Sequence, residues 1–188
     1  MKQILLDIIK GYKPGNEQEE AEKEIMLEFI KSNDNCLLRE NKIAHFTASS
    51  WIVNEGRTKV LMVYHNIYQS WAWTGGHADG EEDLENVAVR EAKEETGVSN
   101  IRPLSHEPLS LEILCVNSHY KKGIFVPSHL HFNVTYPLQA DEKEEVKIKA
   151  DENSGVRWID LQQAPLITTE ECMKEVYKKL NNRVSIIR

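Results

Sequence analysis

Glu91, Glu94 and Glu95 stand three and four positions apart, which on a helix places their carboxylates on one face with roughly 5 to 6 Å between Cβ atoms. Like charges on one turn repel, so the arrangement costs stability unless something positive completes it. Clustered carboxylate oxygens suit a hard divalent cation, and Mg²⁺ in particular is held by a few carboxylates while it keeps waters or substrate phosphate oxygens. The set reads as half of a site, completed by a metal ion and a diphosphate. The plain structural alternative is a solvated acidic face diluted by Lys93 and Arg90. Context speaks against it: Gly75, Gly76 and Gly80 bracket a loop just upstream, where backbone approaches a ligand closely and offers N–H and C=O groups. Arg90 is placed to reach Glu94 at i,i+4 or to hold the catalytic carboxylate, an orienting role.

The element carrying these groups has clear ends. Asp83 is a candidate N-cap, Leu84, Val87, Ala88 and Ala92 recur at helical spacing, and Gly97 supplies a left-handed stop after Thr96. Upstream, residues 2–10 and 17–31 read as helices separated by the Pro14-Gly15 turn, the second burying Ile25, Phe29 and Ile30 against a Glu-rich face. HFTASSWIVN from about Ile43 and KVLMVY from Lys59 read as strands joined by the turn at 54–58. Residues 109–117 and 129–136 are apolar and β-branched enough for two more strands, joined by the polar segment 118–128, and 156–159 is a short strand. A final helix is expected from a Thr168-x-x-Glu171 capping box, burying Cys172, Met173, Val176, Tyr177 and Leu180.

From Gly76 to Val98 the chain reads GHADGEEDLENVAVREAKEETGV. This stretch resembles the Nudix box, with Gly76, Glu82, Arg90, Glu91, Ala92, Glu94, Glu95, Gly97 and Val98 filling every fixed position. The resemblance implies an α/β (α+β) fold, the α/β/α sandwich of Nudix hydrolases with a central mixed sheet, here with an N-terminal helical extension. It implies Glu91, Glu94, Glu95 and the Gly76 carbonyl as ligands of Mg²⁺ or Mn²⁺. It also implies water attack on phosphorus in a nucleoside-diphosphate-linked substrate, with Glu91 the box residue suited to accept the proton. Some members take that base from a loop outside the box, and Asp141, Glu142, Glu144, Glu145 and Glu152 are candidates. Glu82 is expected to be structural, bracing the loop.

The match covers roughly Ile43 to the last helix, and only the box is specific. Residues 1–188 are read as a single domain, 1–40 as the extension and 43–182 as the core. The extension could pad the core, cover a sheet edge or form a homodimer contact.

Substrate contacts are drawn from Gly75, Gly76, Trp73, His129 and His131. Trp71-Ala72-Trp73-Thr74 stands before the two glycines where the family often has Pro, and Trp73 either stacks on a base or packs beneath the loop. His129 and His131 alternate on a strand and so face one side with Asn133, as polar pocket lining or as ligands of phosphate or a second metal. His119-Tyr120-Lys121-Lys122-Gly123 offers an aromatic and two cations to an anionic substrate.

A formal net charge of −7 leaves no basic stripe for duplex nucleic acid. Cys36, Cys115 and Cys172 form no CxxC pair, and Cys115, in an apolar strand, is expected in the core. The N-terminus has too short an apolar stretch for a signal peptide and no run is long enough to span a membrane, so the cytoplasm is the expected compartment. Two other functions compete with hydrolysis: a Nudix-like sensor that binds a nucleotide metabolite, and an isopentenyl-diphosphate-isomerase-like enzyme, against which the intact box argues.

Overall fold

The computed structural model describes residues 2–121 and 123–187, with residue 121 described by its backbone only. Lys122, one of the two cations of the 119–123 segment, lies outside the described residues, as does the side chain of Lys121.

Two helices, α1 (Gln3–Gly11) and α2 (Glu17–Ser32), precede the long strand β1 (Ala44–Val53). The strands β2 (Lys59–His65), β3 (Ser70–Ala72) and β4 (Thr74–His77) lead into α3 (Leu84–Thr96). After it come β5 (Arg102–Pro103), β6 (Ser110–Val116), the small hairpin β7 (His119–Lys121) and β8 (Ile124–Val126), and β9 (His129–Gln139). β10 (Asn153–Asp160), a short α4 (Ala164–Ile167) and α5 (Glu171–Ile186) close the fold. The main sheet runs β10-β2-β1-β9-β5, with β3 paired to β2, β4 to β1 and β6 to β9. It is mixed: β1 and β9 run parallel from Ala44↔Leu130 to Val53↔Gln139, and the other pairings are antiparallel.

Alternation along β1 explains the layers. Ala44, Phe46, Ala48 and Ile52 face one apolar cluster shared with α1, α2 and α3, through Leu5, Ile9, Met26, Ile30, Val87 and Ala92. Trp51 and Val53 face a second cluster with Val60, Met62 and the α5 residues Met173, Tyr177, Leu180 and Val184. The extension thus pads the core, with Phe29 of α2 meeting Phe132 of β9 edge to face at 4.8 Å. A buried ion network ties it to α5: Arg183 donates to Glu19 at 2.6 Å, and Lys179 lies 3.0 Å from Glu19 and 2.8 Å from Glu112.

Several expectations are corrected. Ile25 is exposed, because Met26 and Ile30 take the inward face of α2. Segment 118–128 is not merely polar; most of it folds into the β7–β8 hairpin. The capping box before α5 does not form: the helix begins at Glu171 with no side-chain cap, and the Thr168 hydroxyl instead meets that of Ser70 at 3.0 Å. Cys172 is exposed at the helix start, and Cys115 is exposed as well: it shares a face of β6 with the core residues Leu111 and Ile113 but lies near the end of the strand, past their cover.

Candidate active site

The acidic helix forms as its sequence dictates. The Asp83 carboxylate accepts from the Asn86 N–H at 3.2 Å, and Gly97 adopts φ 71°. Gly97 is also required by close approach, since a Cβ there would lie 2.7 Å from the Cβ of Lys147. The helix is met from the sheet by β4, which pairs with β1 through Thr47↔His77, Ala48↔Gly76, Ser49↔Gly75 and Ser50↔Thr74.

The paired glycines are fixed by two different neighbours. A Cβ at Gly75 would lie 2.7 Å from the carbonyl oxygen of Ala48, so the strand pairing itself excludes a side chain. A Cβ at Gly76 would lie 2.4 Å from Cδ of Glu91, whose carboxylate packs against that backbone. The Gly75 N–H donates to Glu95 at 3.1 Å.

The three carboxylates are not equivalent. Glu95 is buried, and burial, with Glu152 and Glu91 nearby, pushes its pKa up to about 8 against the opposing pull of the Gly75 N–H and Lys149. Glu91 is half-buried and also raised, by burial first and by Glu94 next, with Arg90 opposing. Glu94 is exposed and lies 3.2 Å from the Lys149 ammonium, which also touches Glu152 at 2.9 Å. Burial works against the Lys149 charge, yet Glu152 and Glu94 hold its pKa above the ordinary value. One side-chain cation thus already spans a box carboxylate and one from outside the box. With two raised acids beside it, the donor set fits a divalent cation.

Arg90 does not reach for Glu94. It donates to Glu81 at 2.5 Å and stands 3.6 Å from Glu91, linking the loop before the helix to that carboxylate. Glu82 accepts the Ile4 N–H at 3.0 Å, so it fastens the first turn of α1 to the loop. Of the acids outside the box, Glu142 pairs with Lys59 at 3.4 Å, Glu144 accepts from Ser99 at 2.6 Å, and Asp141 accepts from the Lys143 N–H at 2.9 Å. Glu145 is exposed on its loop, and Glu152 stands beside Glu91 and Glu95.

A cleft of about 420 Å³ opens beside the glycines. It exists because α5 covers only the Trp51 half of its face of β1; the other half, Thr47 and Ser49, forms the floor with Asn133. The Thr47 and Ser49 hydroxyls donate to the side-chain Oδ1 of Asn133 at 3.0 and 2.8 Å. Gly75, Gly76, Glu95 and His131 line the cleft, and Trp73 forms wall, its ring 5.8 Å from that of Tyr177 and its backbone N–H donating to the Tyr177 hydroxyl. Cys115 and Cys172 also line it.

His131 and His129 share one side, with their Nε2 atoms 3.1 Å apart, and they are joined by two residues sequence reasoning passed over, His45 and His77. The signal was available: His45, Thr47 and Ser49 alternate as polar residues along an otherwise apolar strand, the mark of one face lining a site. Burial and then His77, His45 and His129 lower the His131 pKa to about 2, and burial lowers that of His45.

A mixed sheet between two helical layers, with an acidic helix met from a strand of paired glycines, is the Nudix architecture. The chain belongs to the NUDIX family, whose domain model matches residues 44–180. Among solved structures, the chain is similar to a Caenorhabditis elegans Ap4A hydrolase, with a TM-score of 0.53 at 18% identity over 74% of this chain and 97% of that one. It is similar to the same degree, TM-score 0.53 at 18% identity over 84% and 97%, to the NUDIX domain of Shewanella oneidensis NrtR complexed with ADP ribose. An Escherichia coli dihydroneopterin triphosphate pyrophosphohydrolase gives 0.53 at 16% identity over 71% and 92%. At these identities the likeness concerns the fold. No curated protein matches the chain. Among the described residues, no helix is long and apolar enough to cross a membrane.

Proposed function

We propose that the chain is a metal-dependent Nudix hydrolase that cleaves the diphosphate linkage of a small nucleoside-diphosphate-linked substrate. The observation that carries this reading is the packing of Glu91 and Glu95 against Gly76 and Gly75 at the edge of the cleft. Glu91, Glu94, Glu95 and the Gly76 carbonyl would hold Mg²⁺ or Mn²⁺. When bound, such an ion neutralises charge on the phosphoryl oxygens and eases deprotonation of the attacking water.

The remaining work falls to the chain itself. Arg90 positions Glu91 by joining it to Glu81. Glu91, with its pKa raised by burial, is suited to accept the proton of the attacking water near neutral pH, and Glu152 is the candidate base outside the box. Water adds to phosphorus, the bridging P–O bond breaks, and each product leaves with a phosphate. His131, Trp73 and Asn133 would line the substrate's path, with His129 behind His131. In this reading residues 1–40 are a built-in extension of one domain rather than a separate unit. The structural relatives named above are described with Ap4A, ADP ribose and dihydroneopterin triphosphate, and each of these contains a phosphoanhydride.

The test is phosphate release, coupled to an added phosphatase, from nucleoside triphosphates, ADP-ribose, nucleotide sugars, dinucleotides and coenzyme A, with Mg²⁺ or Mn²⁺ and with Glu95→Gln as control. Metal-dependent cleavage of one class, lost in the variant, supports the hydrolase. Silence across the panel with metal-dependent nucleotide binding would overturn it in favour of a sensor.

A further inference from the structure

Six of the seven histidines, His45, His65, His77, His119, His129 and His131, line one chamber of about 200 Å³. Strand register assembles its core. His45 pairs with His131 across the parallel β1–β9 ladder, and His77 pairs with Thr47 across β1–β4. All three therefore project from the same face of adjacent strands. A ligand nitrogen from each of His45, His77 and His131 can lie within 4.8 Å of the others.

Tautomers sharpen the picture. Nδ1 of His45 faces the Asn41 carbonyl oxygen at 3.1 Å and must donate to it, which leaves Nε2 as a bare lone pair. That Nε2 is buried without a hydrogen-bond partner, in a residue only 3% exposed. His129 repeats the device: its Nδ1 donates to the Pro127 carbonyl at 2.9 Å and its Nε2 lone pair faces Nε2 of His131 at 3.1 Å. An imidazole whose far N–H is fixed by a backbone carbonyl is a metal ligand already oriented. Two nitrogens bound at about 2.0–2.1 Å to one tetrahedral ion stand roughly 3.3 Å apart, close to the His129–His131 spacing.

We propose that His45, His77 and His131, with His129 beside them, form a binding site for a borderline transition-metal ion of the Zn²⁺ class, distinct from the carboxylate set on α3. The donors decide the metal. Among the described residues lining the chamber there is no carboxylate, whereas imidazole suits Zn²⁺, Cu²⁺ and Ni²⁺. Mg²⁺ would stay with the oxygens of Glu91, Glu94 and Glu95. Of the two other cations in the lining, Arg39 is already paired with Asp79 at 2.7 Å and the Lys42 ammonium donates to the Arg39 backbone carbonyl at 3.1 Å. His77 and His131 line both this chamber and the cleft, so the ion would sit where the two meet.

The experiment needs no substrate and is independent of the hydrolase reading. The full chain, stripped with a chelator and dialysed, is titrated with Zn²⁺ in excess Mg²⁺ against a chromophoric competitor. Bound metal is counted by mass spectrometry, and Co²⁺ serves as a d–d absorption probe. One equivalent of Zn²⁺ is expected. His131→Gln and His77→Gln should each weaken its binding at least about tenfold, while Glu91→Gln leaves it unchanged. Thermal unfolding without metal verifies that each variant is folded, and Zn²⁺ should raise the midpoint of the wild type but not of the histidine variants. Should either variant fail to fold, His129→Gln takes its place, with weaker Zn²⁺ binding again expected. Absence of stoichiometric Zn²⁺, equal binding in the folded histidine variants, or loss of the ion in Glu91→Gln would each overturn the site.

Discussion

The carboxylate of Glu91 fills the space a side chain at position 76 would occupy, its Cδ lying 2.4 Å from where that Cβ would be. Gly76→Ala should therefore push aside a flexible side-chain end and leave the fold intact. Turnover is expected to drop at least about a hundredfold, the scale of losing a charge-stabilising group, with an unchanged unfolding midpoint. Gly75→Ala should do the reverse of a selective lesion, because its Cβ meets the backbone oxygen of Ala48 at 2.7 Å. Its cost should appear in stability, about 1–3 kcal/mol by urea unfolding.

Glu95 gives the pH dependence. Its folded pKa of about 8 stands above the ordinary 4.5, so between those values the native state keeps a proton that the unfolded chain has released. Stability of the metal-free protein should then fall as pH rises through that window. Glu95→Gln, which can still accept from the Gly75 N–H, removes this dependence. Urea titrations should find the variant close to wild type near pH 4.5 and more stable than wild type at pH 8, while turnover in Mg²⁺ drops at least about a hundredfold. Parallel stability profiles would contradict the assignment.

Lys149 bridges Glu94 and Glu152 at 3.2 and 2.9 Å, a charge that competes with any divalent cation for Glu94. Lys149→Gln should tighten Mg²⁺ binding several-fold in calorimetry at low ionic strength, and added salt should shrink the difference.

Glu19, fully buried, is held by Arg183 and Lys179. Burial alone would raise its pKa, but Arg183, the Gly15 N–H and Lys179 together bring it down to about 2. The stabilisation is present above the ordinary 4.5 and lost as pH falls toward 2. Arg183→Met leaves the carboxylate buried with too little compensation and should cost about 3–5 kcal/mol in chemical unfolding at neutral pH. Adding Glu19→Leu should recover part of it.

What could be read in advance followed from periodicity. α1, α2, β1, β2, α3 and β9 carry strong repeats of 3.6 or 2 and lie within a few residues of where those repeats place them. β3 and β4 escaped because SWAWTGGH is short and glycine-broken; its strands exist because the neighbouring backbones of β2 and β1 have hydrogen bonds to give. The carboxylate set was legible since a single helix presents it. The histidine chamber was not, since residues 45 and 131 meet through a parallel register and residue 77 joins them through an antiparallel one, neither of which sequence spacing encodes. Cys115 misled because its face of β6 is covered over Leu111 and Ile113 but not near the strand's end, where it lies.

The hydrogen bond from Ile4 to Glu82 joins positions 78 residues apart, at the first turn of α1 and in the loop before α3. It makes fraying of the amino-terminal helix and loosening of that loop linked equilibria. Any ligand that orders the loop must then slow amide exchange in α1, far from itself, and deleting the first few residues should weaken that ligand without removing one atom that touches it.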